Sequence, residues 1–189
     1  MDKPLIFRAL RSRNYRFYFI GQLISLVGTW MQNVSMSWMV YRMTGSPLML
    51  GSVSFSSDIF AFLLIPYAGV LADRLDRRRM LITIQSCMLL QALVLATLVL
   101  SGQIQIWHVF VLAMFLGVLN AFDMPTRHSF VIEMLEDKSD LQNAIALNSS
   151  MFNAARLLGP SIAGVLIAAF GEGFCFLSLS KQFFLFRVK

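Results

Sequence analysis

Charge is scarce in this chain. Of its 189 residues only 14% are Asp, Glu, Lys or Arg, against roughly 25% in an ordinary soluble domain, which argues against a soluble globular protein. Cysteine is nearly missing. Cys87 and Cys175 lie in apolar segments and show neither metal-ligand spacing nor a disulfide framework, which leaves the redox compartment open. No Gly-rich loop ends in Lys-Ser/Thr to cradle phosphate, so no ATP site is expected. Zinc-ligand spacing and a nucleophile elbow are also lacking. The chain therefore does not read as an enzyme, and no cofactor or metal is expected. His128, a histidine expected alone in a loop, is weak evidence for any chemistry. Ser/Gly linkers, low-complexity tracts and clear repeats are missing too, which leaves one domain.

What the chain has in abundance is apolar sequence: 57% of it is hydrophobic, gathered into long runs. A membrane-crossing helix needs about 20 predominantly apolar residues, because the hydrocarbon layer is roughly 30 Å thick and each residue rises about 1.5 Å. Five runs meet that need, at 17–41, 48–72, 80–100, 104–122 and 144–170. The first is too long for a signal-peptide core, and no small-residue cleavage site follows it. Ser46-Pro47 is a cap and first-turn pair for the second run, and Ser139-Asp140-Leu141-Gln142 is a capping box for the fifth. The expected class is an all-α, polytopic membrane protein with five to six transmembrane helices. Residues 1–16 form a basic terminus, 17–170 hold helices one to five, and 171–189 form an incomplete or disrupted sixth. In that tail the apolar run breaks at Ser180-Lys181-Gln182, resumes as Phe183-Phe184-Leu185-Phe186 and stops at Arg187-Val188-Lys189. A Lys at a helix centre costs roughly 2.5–3.5 kcal/mol on insertion scales.

The net charge is +6. In a soluble chain that would suggest nucleic acid. Here the basic residues flank apolar runs, so they read as orientation signals and no nucleic-acid partner is expected. Lys3, Arg8, Arg11, Arg13 and Arg16 precede the first run. Arg74, Arg77, Arg78 and Arg79 separate the second from the third, and Arg127 and Lys138 the fourth from the fifth. The opposite side carries Arg42 alone. The alternation places the amino terminus in the cytoplasm. Glu133, Glu136, Asp137 and Asp140 count little in this rule.

The segment Gly69-Val70-Leu71-Ala72-Asp73-Arg74-Leu75-Asp76-Arg77-Arg78-Arg79 closely resembles the signature loop of the major facilitator superfamily, which joins helices two and three on the cytoplasmic side. Asp76 stands where the common pattern has glycine. The resemblance implies a cytoplasmic gate built from Gly69, Asp73, Arg74, Arg77 and Arg78. In it Gly69 allows close helix approach, Asp73 sits near a helix amino end, and arginines bridge to the carboxylate. Ala155-Arg156-Leu157-Leu158-Gly159-Pro160-Ser161-Ile162-Ala163-Gly164 is similar to the Gly-Pro motif of antiporters, chiefly exporters, in helix five of that superfamily. Gly159, Pro160 and Gly164 match it, and Ala163 replaces one glycine. Small residues pack tightly, and the proline frees a carbonyl and bends the helix. The segments 120–127 and 141–149, and the opening from Phe7 through Pro47, resemble the enterobactin-exporter-like branch of the superfamily. The resemblance covers about residues 5–177.

Polar residues inside the spans add candidates. Gln22, Ser25, Thr29, Gln32 and Asn33 share one helical face. They line a central cavity or hydrogen-bond between helices. Asp58 lies mid-span, on a face with Gly51, Ser54, Ala61 and Ala68 that is expected to pack against protein. It serves proton coupling or is paired for structure. Arg156 shares a stripe with Ser149, Asn153 and Pro160. It meets an anionic substrate bidentately or pairs with Asp58 or Asp123. The candidate substrate or proton path is thus Gln22, Thr29, Gln32, Asn33, Asp58, Asn153 and Arg156.

The resemblance implies two six-helix halves of inverted three-helix repeats, with substrate at the midplane between them. On that footing the chain is the amino-terminal half of a secondary transporter in the bacterial inner membrane. It would act by proton-driven efflux of a small amphipathic or siderophore-like molecule. Its partners would be the lipid bilayer, that substrate and a missing carboxy-terminal half. The rival expectations are a transport-incompetent truncated product, a partner-binding membrane module and a homodimeric half-carrier.

Overall fold

The computed structural model describes residues 13–134 and 141–185. Within them the chain forms five helices: α1 (Arg13–Thr44), α2 (Pro47–Arg74), α3 (Arg77–Leu100), α4 (Ile106–Met134) and α5 (Leu141–Leu185). Lys3, Arg8, Arg11, Lys138, the Ser139-Asp140 part of the capping box and the closing Arg187 and Lys189 lie outside the described residues.

Local chemistry sets the helix ends. Ser46 caps α2, its Oγ accepting from the Met49 N–H at 3.4 Å, with Pro47 in the first turn, as expected. Asp76 caps α3, its carboxylate accepting from the Arg79 N–H at 2.8 Å. The backbone of Asp76 has φ −61, so the glycine of the common loop pattern is not required for conformational freedom. The aspartate supplies a cap in its place.

Contacts fix the helix directions. The Tyr15 hydroxyl donates to the Ala144 carbonyl at 3.2 Å, and further along Gly159 lies against Trp30 and Val27. The numbering of α1 and α5 thus rises together, and the two helices run parallel. At Gly171 the backbone takes φ 80, ψ 171, a region essentially restricted to glycine, and the chain reverses. Glu172 then meets Arg42, and Cys175 meets Ser35, so α1 is now followed backwards. α5 is therefore two helices joined by a one-residue hairpin. The second continues through Ser180-Lys181-Gln182 to Leu185, where the broken apolar run predicts loss of regular structure. A helix closes its backbone hydrogen bonds within itself whatever its side chains, so lost apolarity does not by itself unwind it.

One end of the bundle gathers the α2–α3 turn, the end of α4 and the start of α1 and α5. Thr126 bonds to the Met80 sulfur at 3.4 Å, and Tyr15 and Tyr18 pack with Val131, Ala144 and Leu147. The opposite end holds Arg42 and Glu172, with Leu100 seated against Gly173. Between them lies a core that includes Met31, Met39, Met88, Leu95, Leu116 and Phe176.

Two spans depart from expectation. Among the described residues α2, α3, Ile106–Val131 and Leu141–Ser178 are long and apolar enough to cross a membrane, the last of them bent back at Gly171. α1 is long enough at 32 residues but more polar than these. Its Gln22, Ser25, Gln32 and Ser35 are buried inside the bundle, so this helix has no need of an apolar surface there. α4 runs to Met134, well past residue 122. It carries Asp123, Arg127 and His128 as helical residues, so His128 is not in a loop.

Candidate functional site

The polar face of α1 splits into two groups. One forms a seam with α3. Gln32 is fully buried and its amide donates to Gln91, which in turn donates to the Leu112 carbonyl of α4 at 3.3 Å. Ser25 donates to Gln85 at 3.2 Å. These residues hold helices together, so Gln32 does not join the cavity proposed from the sequence. The second group opens onto a cleft of about 510 Å³ between α1, α4 and α5. α1 contributes Gln22, Thr29 and Asn33 to its wall, α4 contributes Asn120, Asp123 and Arg127, and α5 contributes Asn148, Ser149 and Asn153. A second hollow of about 570 Å³ adjoins it through Trp30 and Asn33, and holds Ser37, Arg156 and Pro160.

The electrostatic centre of the cleft is the pair Asp123–Arg127, at 2.5 Å, with both side chains about nine-tenths buried. The spacing i, i+4 places opposite charges one turn apart, so α4 carries them as a neutral unit. Gln22, with its amide oxygen turned inward, accepts from the Arg127 guanidinium; that orientation follows from the hydrogen-bonding pattern. The second carboxylate oxygen of Asp123 and the amide nitrogen of Gln85 are buried without a hydrogen-bond partner among the described residues. Burying charge is costly, and removing one partner of such a pair costs more than never having built it.

Sequence reasoning passed over Asn120, Asp123, Arg127 and Asn148 as cleft residues, because the fourth span was ended at the first charge. The signal was available in the Asp-x-x-x-Arg spacing. Of the residues expected on the path, Gln22, Thr29, Asn33 and Asn153 lie on the cleft wall and Arg156 on the adjoining hollow. Arg156 pairs with neither Asp58 nor Asp123. Its guanidinium lies over the Trp30 ring at 5.7 Å, and Trp30 meets Phe152 edge-on.

Asp58 is elsewhere. It is exposed on α2, beside the exposed Gly51 and Ser54, so the expected face packs against described protein only farther along, where Ala61 is half-buried and Ala68 buried. α4 packs instead one residue round, where a Cβ on Gly117 would stand 2.1 Å from the Ser57 carbonyl oxygen.

The two motifs are also resolved in detail. Asp73 is largely exposed and lies 3.8 Å from Arg77 at the start of α3, while Arg77 donates to the Ala72 carbonyl at 3.4 Å. Arg74 and Arg78 are exposed. No atom lies near the missing side chain of Gly69, so the close approach expected there is not made within the described residues. In the second motif Gly159 is the contact point, where an added Cβ would lie 2.5 Å from Trp30 Cβ and 3.0 Å from the Val27 carbonyl. Ala163, the departure from the pattern, is buried, whereas Gly164 faces open space.

Comparison with known proteins fits this geometry. Residues 6–188 match the family described as transmembrane secretion effector. The chain is 29% identical over 171 residues to the staphyloferrin A transporter of Staphylococcus aureus, covering 90% of this chain and 43% of that protein. It is 26% identical over 197 residues to an uncharacterised major-facilitator-type transporter of Bacillus subtilis, YfiS, covering 100% of this chain and 43% of that protein. Macrolide efflux protein A of Streptococcus pyogenes is 23% identical over 153 residues, covering 80% of this chain and 38% of that protein. The chain thus spans less than half the length of these relatives. No solved structure matches it. The chain belongs to the transmembrane secretion effector family of major facilitator transporters, a family of membrane carriers rather than enzymes.

Proposed function

We propose that the chain forms the amino-terminal half of a secondary carrier in the bacterial inner membrane, with its basic end in the cytoplasm. The carrier exports a small amphipathic or siderophore-like molecule in exchange for protons. The observation that carries this reading is the cleft. Three helices present amide and hydroxyl groups to one space, walled by a buried ion pair, and a polar wall inside apolar helices fits a water-filled substrate path. The names of two relatives, a staphyloferrin A transporter and a macrolide efflux protein, support movement of a small molecule, and the second supports its export.

Asp123 suits the proton-coupling role better than Asp58. It lines the cleft and holds Arg127, whereas Asp58 faces outward. A proton on the Asp123 carboxylate removes its charge and weakens the pair. Arg127, still charged, then keeps Gln22 as its partner and turns its freed N–H groups to the cleft, which changes how α4 and α1 engage. The substrate faces a second wall supplied by the other half, so the chain alone is expected not to carry out coupled transport.

The test is efflux from cells expressing the chain with a carboxy-terminal half, or fused to one, using siderophore and macrolide panels. Substitution Asp123→Asn is expected to abolish gradient-driven efflux at equal membrane levels, and Asp58→Asn to leave it. Full efflux with Asp123→Asn would remove Asp123 from the mechanism. Gradient-driven substrate movement by the purified chain alone in proteoliposomes would show that it is a complete carrier.

A further inference from the structure

Arg156 is the one full charge on the described walls of the two adjoining hollows that no opposite charge neutralises. The others are Arg127 and Asp123, which neutralise each other at 2.5 Å. His128 and Tyr18 also line the cleft, and Tyr41 the second hollow. The polar space is therefore net positive by one guanidinium. Arg156 itself is exposed. It lies over the face of Trp30 at 5.7 Å, and Trp30 is itself held edge-on by Phe152 at 5.7 Å. A guanidinium held over an aromatic face by cation–π attraction spends none of its N–H groups on a hydrogen bond to that ring, which leaves them for a two-point acceptor.

The surroundings extend the pattern. Asn33 and Ser37 stand on the facing wall of α1, and Pro160 lies one turn beyond Arg156 on α5. Pro160 has no N–H, so the Arg156 carbonyl is left without its helical donor. A cation flanked by amide and hydroxyl donors, beside a carbonyl acceptor, matches a carboxylate with a neighbouring hydroxyl.

We propose that the Arg156–Trp30 pair is an anion seat, and that the exported molecule is a carboxylate-bearing, hydroxylated anion rather than a lipophilic cation. This rests on the carrier reading and narrows its substrate. Arg156 makes the two-point contact with the carboxylate, the freed carbonyl accepts from the hydroxyl, and Trp30 holds the cation from its other side.

The experiment uses the full chain in lipid nanodiscs, with Trp38→Phe and Trp107→Phe so that Trp30 alone reports, and with helical content checked by circular dichroism. Citrate, tricarballylate (which lacks the hydroxyl) and tetraphenylphosphonium are titrated separately. Citrate is expected to shift the Trp30 emission saturably and to weaken with added salt. Tricarballylate should bind several-fold more weakly, and tetraphenylphosphonium should give no saturable change. Arg156→Gln should weaken citrate by about 10-fold or more, and Arg156→Lys by less, since a point charge survives but the two-point contact does not. Equal citrate response in Arg156→Gln and the parent overturns the seat, as does any saturable shift with tetraphenylphosphonium stronger than with citrate. A parent chain that is helical yet unresponsive to citrate overturns it as well. None of these outcomes touches proton-coupled efflux measured in cells, so the substrate class fails separately from the carrier.

Discussion

α1 and α2 invert the rule that soluble proteins follow. α2 is among the apolar helices long enough to cross a membrane, yet it buries only Val53, Ala68 and Ala72. α1 is more polar than α2, yet it buries Gln22, Ser25, Gln32 and Ser35 along with Met31, Met39 and Val40. In hydrocarbon the outer surface is the apolar one, because lipid cannot satisfy polar groups. The polar helix is stable only where partners meet it. Ser25 and Gln32 find Gln85 and Gln91 on α3, while Gln22 finds Arg127 on α4. Polarity along a helix of this bundle therefore reports how much protein surrounds it.

The largest effect that tests this contrast is loss of one charge beside α1. Arg127→Leu leaves Asp123 buried and unpaired, and should cost roughly 3–5 kcal/mol. The double substitution Asp123→Leu with Arg127→Leu should recover most of that. Equilibrium unfolding in detergent micelles measures both, and equal loss in the single and double variants would mean the pair is not the reason α1 tolerates its polar face.

Close packing comes next. Gly117→Ala presses on Ser57 of α2 and Gly159→Ala presses on Trp30 of α1, and each should destabilise by about 1–3 kcal/mol. Gly164→Ala, facing open space, should stay within about 0.5 kcal/mol. Thermal melts of the three variants give the ranking, and an effect of Gly164→Ala equal to that of Gly159→Ala would show that the missing packing partner lies outside the described residues.

A smaller effect is expected at the far end of α1. Glu172 is buried but Arg42 is half exposed, at 3.0 Å, so Glu172→Gln leaves a cation that water or a headgroup can solvate. A loss of about 1 kcal/mol or less is expected, read as a modest drop in melting temperature that shrinks further at high salt. Least of all should matter on the outer face of α2, where Phe62 is 71% exposed. Phe62→Leu keeps that face apolar and should change stability by no more than about 0.5 kcal/mol. A large loss there would mean that this face is covered by protein rather than lipid.

Much of this was legible beforehand in particular residues. Ser46-Pro47 announced the start of α2, and the spans around α2 and α3 were placed within a few residues. The cleft was legible in part. Gln22, Thr29, Asn33 and Asn153 were found because helical spacing puts polar residues on one face. Gln32 shares that face closely enough to be indistinguishable by spacing, and only its bond to Gln91 sends it to the seam. Asp123 and Arg127 were missed because a charge was taken to end a span, although a pair one turn apart can remain in it.

The sequence by itself determined the class of this protein, the alternation of its helices and the gathering of basic residues between them, because these depend on run length and local charge. It determined the glycine at the reversal as well, since only glycine accepts the Gly171 backbone. Tertiary structure alone decided which polar groups look into the cleft, that Asp58 turns away from it while Asp123 lines it, and that Gly159 rather than Gly164 is the contact point. The reason is geometric. Spacing fixes which residues share a face of one helix, but the rotation of that helix about its axis, and the neighbour it meets, are set by packing against the other helices.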